Sequence, residues 1–189
     1  MKTVAALWFC AVGFVAVDDV ADAPAARPLF LAALAFSLLG DVLLIPKGKK
    51  RIFQAGILAF LLAHVLYVPA FASRGFDVVV FAVVAAVLVA PAILVLRWLR
   101  PHVRGAMWTS IVVYVLVIST MLATACAAVA AGLTMNNGVT PALLIGALAF
   151  WCSDLFVARQ RFVHPGVVNR VLGVPLYFFG QLGLIAGFA

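Results

Sequence analysis

Long apolar runs alternate with short polar clusters along the chain. The clusters contain Arg, Lys, Asp, Pro and Gly, and the runs between them are roughly 15 to 28 residues long. Because about 20 apolar residues cross a bilayer as one helix, this pattern predicts repeated transmembrane helices. The predicted spans are residues 3–20, 28–46, 52–72, 78–98, 105–132, 140–158 and 167–188.

The composition supports a membrane protein and excludes most other classes. Hydrophobic residues make up 67% of the 189 residues and charged residues 10%, whereas soluble domains have about half and about a quarter. The run from Val78 to Leu96 also lacks the two-residue alternation of a transmembrane β-strand. We therefore predict an all-α fold, a polytopic transmembrane helical bundle of about seven spans that forms one domain over residues 1–189. Soluble enzymes, secreted disulfide scaffolds and disordered chains are excluded.

The net charge and the cysteines indicate no further partner. The charge of +7 comes from residues that lie between the spans, so it does not form the single basic surface that a nucleic-acid partner requires. Cys10, Cys126 and Cys152 lie inside apolar runs without a CxxC motif. We interpret them as small apolar packing residues.

Lys and Arg fall mainly on one side of the predicted membrane. Eleven of the thirteen occupy the N-terminus and every second connection, and only Arg27 and Arg74 lie on the other side. Since cytoplasmic loops retain Lys and Arg, the N-terminus is predicted to be cytoplasmic and the C-terminus outside. We expect an integral, multi-pass protein of a bacterial cell membrane.

The first predicted span has an alternative interpretation. Lys2, the apolar run after it and the sequence Ala21-Asp22-Ala23 also resemble a cleavable signal peptide. Pro24 directly follows that site and argues against cleavage. We favour an uncleaved first helix.

Two carboxylates fall inside spans, where a charged side chain costs at least about 2.5 to 3.5 kcal/mol at a helix centre. Asp41 precedes Pro46 by five residues and Asp154 precedes Arg159 by five. At 1.5 Å per residue, both lie about 7 Å below the cytoplasmic edge. Either they share a site at that depth, or each pairs with a nearby cation, Lys47 or Arg159.

His64 lies about 18 Å into the third span, with Tyr67 one turn further along the same face. A hydrogen-bonded core imidazole and a catalytic histidine are equally consistent with this position. We expect no metal site, because His102 and His164 fall in connections.

The last span has a polar face. Arg170, Gly173, Tyr177 and Gln181 follow one another at helical spacing, and Asn169 lies beside Arg170. Polar side chains in a span should face a cavity or other helices rather than lipid. Arg170 is suited to bind a phosphate, or it is an ordinary cytoplasmic charge. Gly183 and Gly187 form a small-residue pair that predicts close helix packing.

Four motifs in order resemble the lysoplasmalogenase family, also called YhhN-like. They are Phe36-Ser-Leu-Leu-Gly-Asp41, His64-Val-Leu-Tyr67, Phe150-Trp-Cys-Ser153-Asp154 followed by Arg161-Phe162, and Tyr177-Phe-Phe-Gly-Gln181. The resemblance covers roughly residues 28–188. Members of the family typically have about eight spans, so an eighth span is possible, and a helix is missing here before the Asp41 helix.

The resemblance implies a membrane hydrolase that cleaves the vinyl ether bond of lysoplasmalogens to a fatty aldehyde and a glycerophospho-alcohol. The family's acidic pair maps onto Asp41 and Asp154, and its histidine onto His64. We add a set of candidate substrate-binding residues, which are Ser37, Tyr67, Ser153, Asn169, Arg170, Tyr177 and Gln181. The expected partners are a lysophospholipid substrate and the bilayer, with no cofactor, no metal and no nucleic acid.

Vinyl ether hydrolysis needs an acid, a water molecule and an anion. One carboxyl can protonate the alkene, and a second, ionised carboxylate can stabilise the cation and orient the water. The sequence does not assign Asp41 and Asp154 to these two roles. His64 and Tyr177 would orient these groups, and Arg170 or the Lys47–Arg51 loop would hold the phosphate. Together these residues predict an intramembrane pocket that is open to the cytoplasmic side. The alternative function is a transporter or lipid-binding protein that uses this pocket without bond cleavage.

Overall fold

The fold is known from a computed structural model that describes residues 2–17, 25–46, 48–135 and 138–189, with only the backbone described for residues 2–6 and 135. Within these ranges the chain forms helices and no strands. The helices are α1 Lys2–Ala16, α2 Ala26–Leu43, α3 Lys50–Ala72, α4 Val78–Leu99, α5 Ala106–Met135, α6 Pro141–Ala158 and α7 Val167–Phe188. A 3₁₀ turn, Arg100–His102, follows α4, and a π-helical turn, Arg159–Val163, extends α6.

Each predicted span corresponds to one of these helices, so the all-α bundle is confirmed. Six of the helices are long and apolar enough to cross a membrane, and the protein is an integral, multi-pass membrane protein. The first helix, α1, has 15 residues and is about 22 Å long at 1.5 Å per residue, less than the bilayer core of about 30 Å. The predicted end of that span at residue 20 and the alternative cleavage site at Ala21–Ala23 lie outside the described residues.

Most helices pack side by side in one circuit. In spatial order the circuit runs α1, α2, α3, α5, α6 and α7, and α7 returns to α1. Helix α4 lies outside it against α5, and its valine-rich surface is largely exposed. Because lipid tails are apolar, an exposed valine surface is expected where a helix borders the bilayer. Polar groups are sheltered from lipid where the helices face one another inside the bundle.

Helices α6 and α7 make the most extensive contact in the bundle. A Cβ atom on Gly183 would lie 2.7 Å from the Cα atom of Gly146, and one on Gly180 would lie 2.9 Å from the backbone nitrogen of Phe150. A Cβ atom on Gly187 would come closer still to the backbone of Leu143. The predicted packing role of Gly183 and Gly187 is confirmed, since only glycine leaves room for backbones this close.

The two ends of the bundle differ in their connections. We call the end that contains the α2–α3, α4–α5 and α6–α7 connections the basic end, because Lys49, Arg104 and Arg161 lie there among other cations. We call the opposite end the far end. At the far end, Asp77 caps α4 by accepting hydrogen bonds from the backbone nitrogens of Val79 and Val80 at 2.9 and 3.0 Å.

Candidate functional site

A cavity of about 540 Å³ lies inside the bundle at the basic end. Six helices contribute to its walls, from α2 to α7, and its surface is mainly apolar, with Phe60, Val115, Ile118 and Val174 among the lining residues. Polar groups are few and converge on the cavity. This combination is typical of a site for an amphiphilic small molecule.

Asp41 lies on α2 and lines the cavity. Its Oδ2 atom accepts a hydrogen bond of 2.7 Å from the hydroxyl of Tyr177 on α7. The preceding residue, Gly40, faces the ring of Phe60 on α3, where any Cβ atom would clash with that ring. The Gly-Asp sequence therefore lets α2 approach α3 closely while the next side chain points into the cavity.

Tyr177 belongs to a chain of buried hydrogen bonds that extends away from the cavity. The side-chain nitrogen of Gln181 donates to the Tyr177 hydroxyl oxygen at 3.2 Å, and the Tyr67 hydroxyl donates to the Gln181 side-chain oxygen at 3.0 Å. Tyr67 and Gln181 are completely buried, and neither lines the cavity. The polar face predicted on the last span thus turns inwards and holds the partner of Asp41.

Asp154 lies on α6 and lines the same cavity. Its Oδ2 atom accepts a hydrogen bond of 2.7 Å from the hydroxyl of Tyr114 on α5. The two carboxylates are near enough for their charges to interact. The structure therefore brings Asp41 and Asp154 together in one site, each held by a tyrosine from a different helix.

Tyr114 is a site residue that the sequence pattern did not predict. A tyrosine in a span is common near membrane interfaces, so its position alone indicates no site. The chain has only three tyrosines, however, and all three donate hydrogen bonds within or next to this cavity. Because tyrosine is so scarce in this sequence and two of the three were already candidates, the third was the residue to add to the predicted site.

His64 lies behind the cavity wall rather than in it. Its ring is completely buried between the rings of Tyr114 and Phe150, at centroid distances of 5.3 and 4.8 Å. Its Nδ1 atom donates to the backbone oxygen of Phe60, and its Nε2 atom has no hydrogen-bond partner among the described residues. A carbonyl oxygen can only accept, so the neutral ring carries its proton on Nδ1. From here His64 can act on the site only through Tyr114 or a water molecule.

The two candidate serines occupy different places. Ser153 lines the cavity, and its hydroxyl donates to the backbone oxygen of Gly173 at 2.9 Å, which links α6 to α7. Ser37 is completely buried beside the Tyr67 hydroxyl, outside hydrogen-bonding geometry and away from the cavity lining. Ser153 is thus beside the site, whereas Ser37 belongs to the packing behind it.

Asn169 organises the α6–α7 connection at the basic end. Its Oδ1 atom accepts from Arg159 at 2.7 Å, and its Nδ2 atom donates to Gln160 and to the backbone oxygen of His164. Arg159 therefore donates to Asn169, and Asp154 accepts its hydrogen bond from Tyr114. Lys47, the alternative partner of Asp41, lies outside the described residues.

Two cationic side chains line the cavity near this connection. Arg170, predicted from the sequence, is an exposed residue at the start of α7. Arg161, on the π-helical turn, was not selected as a site residue; its guanidinium lies 3.8 Å from the ring centroid of Phe53. The π-helical turn and the Asn169 hydrogen bonds together determine where both arginines lie.

The described residues offer no set of metal ligands. No three His, Cys or Asp side chains meet anywhere in these ranges. His102 lies in the 3₁₀ turn and His164 in the α6–α7 connection, so neither shares a site with His64.

The geometry supports proton transfer to and from one bound molecule. Two carboxyl groups face a mainly apolar cavity, where one can donate a proton and the other can accept one or stabilise a cation. Two arginines at the basic end can bind an anionic headgroup. The apolar walls can hold the chain of an amphiphile.

Comparisons with known proteins agree with the resemblance found in the sequence. The YhhN family model matches residues 1–188. The chain is 30% identical over 159 residues to lysoplasmalogenase TMEM86A of Bos taurus, which covers 84% of this chain and 64% of that protein. It is also 30% identical over 174 residues to a lysoplasmalogenase of Mycobacterium bovis, covering 86% of this chain and 60% of that one.

The chain thus spans a little under two thirds of the length of these curated relatives. No solved structure matches it. The family model nevertheless covers almost every residue, including all the helices and both carboxylates of the cavity. The chain belongs to the YhhN family.

Proposed function

We propose that this protein hydrolyses the vinyl ether bond of lysoplasmalogens, releasing a fatty aldehyde and glycerophosphoethanolamine or glycerophosphocholine. The observation that carries the proposal is the pair Asp41 and Asp154, which share one mainly apolar cavity in the membrane. Relatives named lysoplasmalogenase support the substrate class. No cofactor is required, because acid–base chemistry suffices for this bond.

The reaction consumes one water molecule. A proton adds to the alkene carbon that is β to the ether oxygen, and the adjacent carbon becomes part of an oxocarbenium ion. Water adds to that carbon and loses a proton, and the resulting hemiacetal collapses to aldehyde and alcohol. One carboxyl of the pair supplies the first proton, and the other stabilises the cation and accepts the proton of the water.

The bound lipid is proposed to lie with its headgroup at the basic end. Arg161 and Arg170 line the cavity there, and a guanidinium suits a phosphate. The loop Lys47–Arg51 is a further candidate, of which Lys47 lies outside the described residues. The alkenyl chain would follow the apolar walls. By the distribution of Lys and Arg, the cavity faces the cytoplasmic side, and a bacterial cell membrane remains the predicted location.

The other candidate residues are proposed to position the reacting groups. Ser153 and Asn169 shape the cavity wall, since Ser153 links α6 to α7 and Asn169 links α7 to Arg159 on the π-helical turn. Ser37, Tyr67 and Gln181 support Tyr177 from behind and do not touch the substrate. His64, behind Tyr114, would orient that tyrosine or a water molecule.

Turnover tests the proposal directly. Purified protein in detergent is given lysoplasmalogen, and fatty aldehyde is quantified for the wild type, for Asp41→Asn and for Asp154→Asn. Asp77→Asn is the matched control, since Asp77 caps α4 at the far end and does not line the cavity. We expect aldehyde from the wild type and the control and a large loss in both cavity variants.

Two other results would contradict the proposed activity or the proposed catalytic residues. If folded wild-type protein releases no aldehyde and also leaves ester and amide lysolipids intact, the hydrolase proposal is wrong. Binding of intact lysolipid without cleavage would then favour the alternative, a lipid-binding or transport protein. If both cavity variants keep near-full turnover, the carboxylates are not the catalytic groups.

A further inference from the structure

We infer that Asp154 is the general acid of the carboxyl pair and that Asp41 is the ionised partner that stabilises the cation and activates water. The inference rests on the proposed hydrolysis and assigns the two roles that the sequence leaves open. It follows from the direction of the hydrogen bonds that hold each carboxyl group.

The hydrogen bonds at Asp41 run in one direction. Tyr67 donates to the oxygen of the Gln181 amide, so the amide nitrogen faces Tyr177 and donates to its oxygen. The hydroxyl proton of Tyr177 therefore points to Oδ2 of Asp41. A carboxyl oxygen that accepts from a committed donor is favoured in its ionised form. Protonating Oδ2 would leave the Tyr177 proton without this acceptor, and turning that proton to Gln181 instead would require all three linked hydrogen bonds to reverse.

The hydrogen bond at Asp154 is reversible. Tyr114 donates to Oδ2 of Asp154, and its oxygen accepts from no group among the described residues. Rotation of one hydroxyl turns Tyr114 from a donor to the carboxylate into an acceptor from the carboxylic acid. Asp154 can therefore gain and lose a proton with a much smaller rearrangement than Asp41.

Electrostatics favours the same assignment. The two carboxyl groups share a mainly apolar cavity and their charges interact, and like charges at such a site disfavour double ionisation. With Asp41 held as the anion, the remaining proton belongs on Asp154. Among the described residues, the other ionisable groups around the pair are Tyr114, Tyr177, Arg161 and Arg170 in the cavity wall, Tyr67 and His64 behind it, and Cys10 of α1 beside Asp41.

The assignment gives a closed cycle. Asp154 transfers its proton to the alkene carbon, and Asp41 takes a proton from the water as the water oxygen bonds to the oxocarbenium carbon. The hemiacetal then returns its hydroxyl proton to Asp154 while the carbon–oxygen bond to the glycerol breaks. The glycerol oxygen takes the proton from Asp41, so both side chains regain their starting states and one water molecule has been consumed.

Infrared spectroscopy tests the assignment without turnover. A protonated carboxyl has a C=O stretch that an ionised carboxylate lacks, and the chain has only six side-chain carboxyls, all of them aspartates. Protein at neutral pH in an ester-free detergent should show this band in the wild type. We expect the band to vanish in Asp154→Asn and to persist in Asp41→Asn, because the mainly apolar cavity favours the neutral form of Asp154 even without the charge of Asp41. Persistence in Asp154→Asn, or its absence from the wild type, would overturn the inference.

The pH profile of kcat/KM gives a second readout that does not require an aspartate variant to fold. Gln181→Leu removes the donor behind Tyr177, so Asp41 becomes easier to protonate and the acidic limb should move to higher pH. Tyr114→Phe should instead move the basic limb, which reports loss of the proton from the acid. If the two variants exchange these effects, the roles of the carboxyls are reversed. Absence of aldehyde from every variant and from the wild type would refute the hydrolysis itself, while the infrared result would still decide which carboxyl is protonated.

Discussion

The two ends of the bundle use the same helices in opposite ways. At the far end, the interior is filled by aromatic rings, with Phe30 stacked on Phe188 at 4.1 Å and Phe71 against both. At the basic end, helices α2 to α7 enclose a cavity of about 540 Å³ with two carboxyl groups. The packed rings of the far end determine how the helices are placed. The cavity of the basic end contains the groups that can react.

Helix α7 shows how one element serves both ends. In its first half, Asn169 donates a hydrogen bond to the α6–α7 connection and Gly173 leaves room for α6. Tyr177, in the same half, donates to Asp41. The second half of α7 has Gly183 and Gly187 against α6. Close backbone packing at the far end thus fixes the height at which Tyr177 meets Asp41. Mutations at the two ends should therefore separate activity from stability.

The largest effect is expected from the carboxyls at the basic end. Asp154→Asn and Asp41→Asn should each lower aldehyde release about 100- to 10,000-fold, the range typical of a lost general acid or base. Because each replacement keeps the side-chain shape and can still accept from its tyrosine, the unfolding temperature should change little. Activity assays and thermal unfolding in the same detergent measure both. If activity falls only in proportion to the amount of folded protein, the carboxyls affect stability rather than catalysis, which would contradict this prediction.

Phe30→Ala should produce the opposite result at the far end. Truncating a buried phenylalanine costs about 3–5 kcal/mol in soluble proteins. In a bilayer the unfolded helices remain in an apolar solvent, so mainly the packing loss remains, and we expect the lower end of that range. Turnover per folded molecule should stay near that of the wild type. Chemical unfolding in detergent and aldehyde release measure the two effects, and Leu39→Ala, on the exposed side of the same helix, is the control.

The sequence predicted the spans and the carboxyl pair for physical reasons. The length of an apolar run determines whether a helix can cross, and a charge in a span is costly enough to indicate a function. It did not predict Tyr114, whose residue type is ordinary in membrane helices. Nor did it place Arg161 at the cavity, because its position depends on the π-helical turn Arg159–Val163, which widens the helix without a local sequence signal. Directions of hydrogen bonds, such as those through Gln181, exist only in the assembled bundle.

Removing single tyrosine hydroxyls should lower kcat/KM less, the further the tyrosine lies from the cavity. Tyr177→Phe removes a hydrogen bond to a charged group, worth about 1.5–3 kcal/mol, so kcat/KM should fall about 10- to 150-fold. Tyr67→Phe acts through Gln181 and Tyr177 and should lower kcat/KM less. Measurement of both variants on lysoplasmalogen gives the order. Equal losses of kcat/KM in the two variants would mean that the chain of hydrogen bonds acts as one structural unit rather than as successive support for Asp41.

The smallest effect is expected from the cations at the mouth of the site. Arg161→Gln removes one of two guanidiniums that line the cavity near the proposed headgroup position, and an exposed ion pair is worth at most about 1 kcal/mol. KM for lysoplasmalogen should therefore rise about fivefold with kcat unchanged. Arg104→Gln, at the same end but outside the cavity lining, should leave KM unchanged. A 1-alkenylglycerol without phosphate should show the same KM in the wild type and in Arg161→Gln. If KM instead rises equally for both substrates, Arg161 shapes the site through its contact with Phe53 rather than by binding phosphate.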